Sequence, residues 1–211
     1  MFLSDSYNPF RLRVGGASHP FRIKNPGVGR QKYKMKTNEI SLTIVFSSLY
    51  MVLLVALPVP LLSNGPVQLR VADCLIPLAV LFGWPAIAGV TVGCFFGNAY
   101  FWLGPQDVIF GTIANLVAAT VIFLLRKRPL VACVVGSLLI GVIVGSYLWI
   151  FFPPPEIFGL QLPVWAAMMI SITISTLIVV TGIGYAILKT LSRSSIVRAL
   201  RSRGLKIYID D

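Results

Sequence analysis

The chain has 211 residues and a formal charge of +11, yet only 12% of its residues are charged and 56% are hydrophobic, with a mean hydropathy of +0.84. A soluble globular domain carries roughly 25% charged residues, so this composition belongs to a bilayer, and at about 20 residues per spanning helix it excludes a large soluble enzyme on an anchor. Cys74, Cys94 and Cys133 lie apart in apolar runs and His19 is the only histidine, which argues against a disulfide framework, a histidine-built metal site and a Ser/His nucleophile pair in the membrane.

Residues 1–39 are polar, rich in Gly and Pro, and carry Arg11, Arg13, Arg22, Lys24, Arg30, Lys32, Lys34 and Lys36, with no apolar run long enough for a signal-peptide core. They read as a basic, largely disordered tail. The first span is predicted over residues 40–62, ending at Ser63-Asn64-Gly65-Pro66. The next apolar stretch is too long for one crossing, and Gly83-Trp84-Pro85 divides it into spans at 66–82 and 86–103, since Gly ends helices and Pro opens them. Gly104-Pro105-Gln106 makes a turn, and Asp107 is a candidate N-cap for a fourth span over 107–125, stopped by Arg126-Lys127-Arg128-Pro129. A fifth span, 130–152, ends at three prolines, and a loop with Glu156 leads to a sixth over 163–188. Residues 189–211 form a second basic tail.

Basic residues in short flanks accumulate on the cytoplasmic side. With six spans and the first tail inside, the Arg126 loop and Lys189, Arg193, Arg198, Arg201, Arg203 and Lys206 also fall inside, leaving Arg70 alone of the eighteen basic residues towards the outside. The expected fold is therefore an all-α integral membrane protein with six transmembrane helices and both termini cytoplasmic. Leu191, Ile196, Val197 and Leu200 alternate with arginines in the last tail, a pattern for a short amphipathic helix on the anionic inner leaflet of membrane lipid.

Gly89, Gly93 and Gly97 form an i, i+4, i+8 ridge for close helix packing. Ionisable groups near the bilayer centre cost roughly 2.5 to 3.5 kcal/mol, so those present face a cavity or one another. Arg70 and Asp73 share a helix face, with Gln68 a half-turn earlier, as an interfacial ion pair or as ligand-binding groups. Asn98 lies in the outer third of its span, and Asp107, Gly111 and Asn115 make a polar and small stripe descending about 12 Å. If these converge, they make an outward-opening pocket beside Tyr100, Trp102, Tyr147 and Trp149. Such a pocket suits a planar, hydrogen-bonding small molecule rather than an inorganic ion. The same aromatics also fit an interfacial belt.

Over residues 68–121, about a quarter of the chain, the sequence resembles the queuosine-precursor transporters (QueT), substrate-binding S components of energy-coupling-factor importers. The matching motifs are Gln68-Leu-Arg-Val-Ala-Asp73 with Leu75, Pro85-Ala-Ile-Ala-Gly89 with Gly93-Cys94 and Asn98, and Asp107-Val-Ile-Phe-Gly111 with Asn115-Leu-Val-Ala-Ala119. Asp73 stands where the resemblance leads one to expect Glu, and Asn115 where it leads one to expect Thr. The resemblance implies an S-component-like six-helix bundle binding a 7-deazaguanine through Arg70, Asp73, Asn98 and Asp107, and working with a transmembrane coupling subunit and two ATPase subunits. For docking the coupling subunit it points to small residues on the first span, here Thr43, Ser47 and Ser48. No GxxxxGK[ST] loop is present, so ATP use falls to a partner. No cofactor, catalytic residue, metal or nucleic-acid partner is expected. The alternatives are an S component for a purine or B vitamin, a non-transporting scaffold subunit, and, least favoured, a membrane enzyme using Asp73 and Asp107.

Overall fold

The computed structural model describes residues 37–56, 70–152 and 162–208, and every element among them is a helix. Gln68, Glu156, the break at residues 63–66 and the proline run after Phe152 lie outside the described residues. In chain order the helices are α1 (Thr37–Ala56), α2 (Val71–Phe82), α3 (Trp84–Phe101), α4 (Asp107–Leu124), α5 (Pro129–Leu148), α6 (Val164–Leu191) and α7 (Ser194–Ser202). Four of these, α1, α4, α5 and α6, are long and apolar enough to cross a membrane.

The apolar runs set these elements, and local chemistry shapes them. Val71–Leu78 of α2 winds as a 3-10 helix with Pro77 inside it, before Ala79–Phe82 completes it as an α-turn. Pro77 has no N–H to give to a helical bond. Against this stretch sits Gly184 of α6, where an added Cβ would lie 2.8 Å from both the Cys74 carbonyl and Pro77. The close approach of α6 to α2 thus needs glycine. Both α4 and α6 carry wide π-helical stretches, Asp107–Gly111 and Leu177–Gly184.

The core runs through the bundle, with Tyr50, Ile76, Leu81, Ile87, Ile122, Met168 and Leu188 fully enclosed. Gly93 of the α3 ridge presses on α1, where an added Cβ would meet the Ser47 carbonyl at 2.7 Å and Tyr50 Cβ at 2.8 Å. Gly89 faces Thr43, Phe46 and Ser47, and Gly97 faces Leu54. The last helix, α7, lays part of its apolar side on the bundle, with Val197 buried and Leu200 packed on the core. Of the expected docking positions, Thr43 and Ser47 are half-buried and bring backbone atoms against the α3 glycines, and Ser48 is exposed.

Candidate functional site

The polar residues singled out from the sequence come together at one end of the bundle. Arg70 immediately precedes α2, Asn98 sits in the last turn of α3, and Asp107 opens the π-turn of α4. The Arg70 guanidinium donates to Asn98 Oδ1, and Asn98 Nδ2 donates in turn to the Asp107 carbonyl at 3.1 Å and towards Cys94 Sγ at 3.6 Å. The chain between α3 and α4 is thereby tied back to α3. Gly111 makes room for the amide, since a Cβ there would lie 2.5 Å from Asn98 Nδ2.

Asp107 is not an N-cap. Helical backbone already runs through Gln106, and the Asp107 side chain turns inward, where the Tyr147 hydroxyl of α5 donates to Oδ1 at 2.9 Å. Its carboxylate is 3% exposed, so it has left the helix end for the interior.

The Asp73 N–H donates to the Arg70 carbonyl at 3.1 Å, but the Asp73 side chain does not bond to the guanidinium, although a three-residue spacing in a 3-10 helix stacks the two positions. Its carboxylate accepts from the Tyr50 hydroxyl of α1 at 2.6 Å, and that hydroxyl accepts from Asn115 Nδ2 of α4 at 2.7 Å. Asp73 and Asn98 are each 1% exposed and Asn115 is 3% exposed. Both carboxylates still act electrostatically on the Arg70 guanidinium. Five helices thus contribute to one network of an arginine, two carboxylates, two carboxamides and two tyrosines. Among the described residues, no buried side-chain nitrogen or oxygen lacks a partner.

Of the expected site residues, Arg70, Asp73, Asn98, Asp107 and Asn115 are brought together. Tyr100, Trp102 and Trp149 are not, being 65%, 63% and 41% exposed. Tyr147 belongs to the network by its hydroxyl rather than as an aromatic wall. The sequence reading missed Tyr50, yet a signal was present: it continues the Thr43, Ser47 stripe at i+7, on the face of α1 that meets α3. Chemically, the cluster offers buried carboxylate acceptors beside a cationic donor that is partly exposed. Among the described residues no three His, Cys, Asp or Glu side chains gather as metal ligands.

Residues 40–193 match the family described as QueT transporter. The chain belongs to that family. With its long apolar helices, this makes it a membrane protein of a transporter family. Over 97 residues it is 32% identical to the queuosine precursor transporter QueT of Lactococcus lactis subsp. cremoris (strain MG1363), covering 45% of this chain and 55% of that protein. The chain therefore spans about half the length of the curated relative it matches. No solved structure matches the chain. Every residue of the polar network lies inside the stretch that matches the QueT transporter family.

Proposed function

We propose that this chain is the substrate-binding S component of an energy-coupling-factor importer, and that it captures a queuosine precursor, a 7-deazaguanine, from outside the cell. What carries this is the meeting of two buried carboxylates and an arginine at one end of the bundle in a member of the QueT family. A 7-deazaguanine presents a ring N–H and an amino group on one edge, with a carbonyl beside them. A carboxylate accepts from the first two, and a guanidinium or carboxamide donates to the third. Asp73 or Asp107 takes the N–H edge, Arg70 and Asn98 exchange their mutual bond for the carbonyl, and Gln68 and Asn115 complete the set. Because the buried Asp73, Asn98, Asp107 and Asn115 are already bonded, the substrate enters by exchange, replacing bonds between side chains with bonds to itself.

The protein crosses the membrane six times, with residues 40–188 as the membrane domain and both basic tails, 1–39 and 189–211, cytoplasmic. The winding of α2 supports this count. Eight 3-10 residues at about 2.0 Å each and four α-residues at about 1.5 Å each reach roughly 22 Å, further than its residue number suggests. The 18 residues of α3 reach about 27 Å. A transmembrane coupling subunit and two ATPase subunits supply the energy, and the exposed strip Ile44, Ser48 and Val52 on α1 is the contact for the first of them.

The test is thermal stabilisation of the purified chain by 7-deazaguanines, with adenine as control. A shift rising with deazaguanine concentration supports the proposal, since a ligand that binds only the folded state stabilises by mass action. No shift with any deazapurine sinks it in favour of a scaffold. A purine or vitamin identified by mass spectrometry on the purified protein would keep the importer and change its substrate.

A further inference from the structure

The family match ends at residue 193, and the residues beyond it fold back onto the bundle. Helix α7 ends in a reversal closed by two backbone bonds, Gly204 N–H to the Arg201 carbonyl at 3.0 Å and Leu205 N–H to the Leu200 carbonyl at 3.3 Å. This is the Schellman arrangement, and Gly204 holds the left-handed φ of +78° that it demands. The reversal sends residues 205–208 back to the end of the bundle opposite the polar network. There the Tyr208 N–H donates to the Leu81 carbonyl at 2.9 Å. Leu81 is fully enclosed in the last turn of α2, so its carbonyl has no helical partner and no water.

The Tyr208 ring lies on Gly83, the single residue between α2 and α3, where a Cβ would come within 2.5 Å of the ring. Gly83 takes φ +62° and ψ −133°, a conformation that side chains rarely adopt. The ring also meets Phe123 of α4 edge-on at 5.2 Å, and the Arg126 guanidinium lies 4.8 Å from that phenylalanine's ring centre. Gly204 itself lies against Asn38 of α1, whose Nδ2 a Cβ there would meet at 3.3 Å. Residues 204–208 therefore touch α1, the α2–α3 junction and α4, three of the places whose far ends carry Tyr50, Asp73, Asn98 and Asp107.

We infer that residues 205–208 are a latch on a hinge at Gly83. Seated, the latch fixes α2 against α3; released, it lets α2 swing and parts Arg70 from Asn98 at the other end. The hinge itself stands on geometry alone, and only its effect on substrate rests on the proposed function.

The test uses the full chain in lipid nanodiscs, comparing wild type with Tyr208→Ala, Tyr208→Phe and Gly204→Ala. Gly204→Ala weakens the reversal without touching the seat, so it serves if Tyr208→Ala fails to fold. The first readout, hydrogen exchange along α2 and α3, needs no ligand. Tyr208→Ala and Gly204→Ala are expected to speed exchange about tenfold over residues 76–83 while α5 stays as in wild type, and Tyr208→Phe is expected to match wild type. Faster exchange confined to residues 204–208, or spread equally over all helices, overturns the latch. The second readout is the dissociation rate of a bound 7-deazaguanine, expected to rise about fivefold in the two unlatched variants. An unchanged rate alongside a mobile α2 overturns the link from hinge to site. If wild type binds no deazaguanine, the proposed function falls and exchange alone decides the latch.

Discussion

Between α5 and α6, Ser137 and Thr176 each donate a hydroxyl to the other's backbone carbonyl, at 3.2 and 3.1 Å, whereas across α1 to α5 four bonds run from one ionisable or amide side chain to another. Both arrangements bury polar atoms in a bundle and both are satisfied. They differ in what a substrate could do with them. A hydroxyl bonded to a carbonyl of its own or the adjoining helix, as Ser137 also is to Cys133, is neutral, local and worth on average about 0.6 kcal/mol inside a membrane. It holds helices together and offers an incoming molecule nothing. The Asp73, Asp107 and Arg70 network buries charge, which costs several kcal/mol per ion before pairing repays it. Packing alone would be served by the cheaper arrangement, which is why the proposed site is placed at the dearer one.

The sharpest way to break that contrast is Arg70→Ala. It removes the cation that both carboxylates act on and the donor to Asn98. Affinity for a 7-deazaguanine is expected to fall about a hundredfold, some 2.7 kcal/mol, by equilibrium binding to purified protein. Asp107→Asn keeps shape and removes charge, and a fall of about tenfold is expected. Unchanged affinity in both variants would remove the network from the binding site.

Tyr50→Phe probes the same network through a residue that touches three helices. The ring and its packing on Gly93 stay, while Asp73 loses its donor and Asn115 its acceptor. A loss of roughly 1 to 3 kcal/mol in stability is expected from two buried groups that each lose a hydrogen bond, together with about a fivefold loss of affinity. If stability falls and affinity holds, Tyr50 supports the bundle without orienting Asp73. Tyr147→Phe, which frees one oxygen of Asp107, is expected to cost about half as much in each measure.

How much of this the sequence announced depends on the range of the interaction. Apolar runs are local, and each of the six contains a helix within a few residues of its expected ends wherever the chain is described. The Gly83 break was legible for the same reason, because Gly and Pro act on their own backbone. The inward turn of Asp107 was not, since Gly104-Pro105-Gln106 reads as a loop and only Tyr147, forty residues on, draws the carboxylate inside. Tyr50 was hidden by its type: in an apolar run a tyrosine reads as an aromatic, and its hydroxyl gains meaning only once α2 and α4 bring Asp73 and Asn115 to it. The 3-10 winding of α2 follows partly from Pro77, which is visible, and partly from Gly184 pressing on it from α6, which is not. Residues 205–208 are the extreme case, for their seat is made by Leu81 and Gly83, far upstream.

The smallest expected effect sharpens the contrast between the two clusters most. Ser137→Ala with Thr176→Val removes both hydroxyls of the α5–α6 pair, and with them the bonds to Cys133, Ile172 and the partner's carbonyl. The carbonyls remain in their own helices, so little is stranded. At about 0.6 kcal/mol per interhelical bond, the double variant is expected to lose about 1 kcal/mol of stability in thermal unfolding. Its affinity for a 7-deazaguanine is expected to equal that of wild type, because the bonds of the network described above join α1 to α5. A fall in affinity comparable to that of Tyr50→Phe would mean that the two clusters move as one, and that the α5–α6 pair sets the position of Tyr147 against Asp107 rather than only joining two helices.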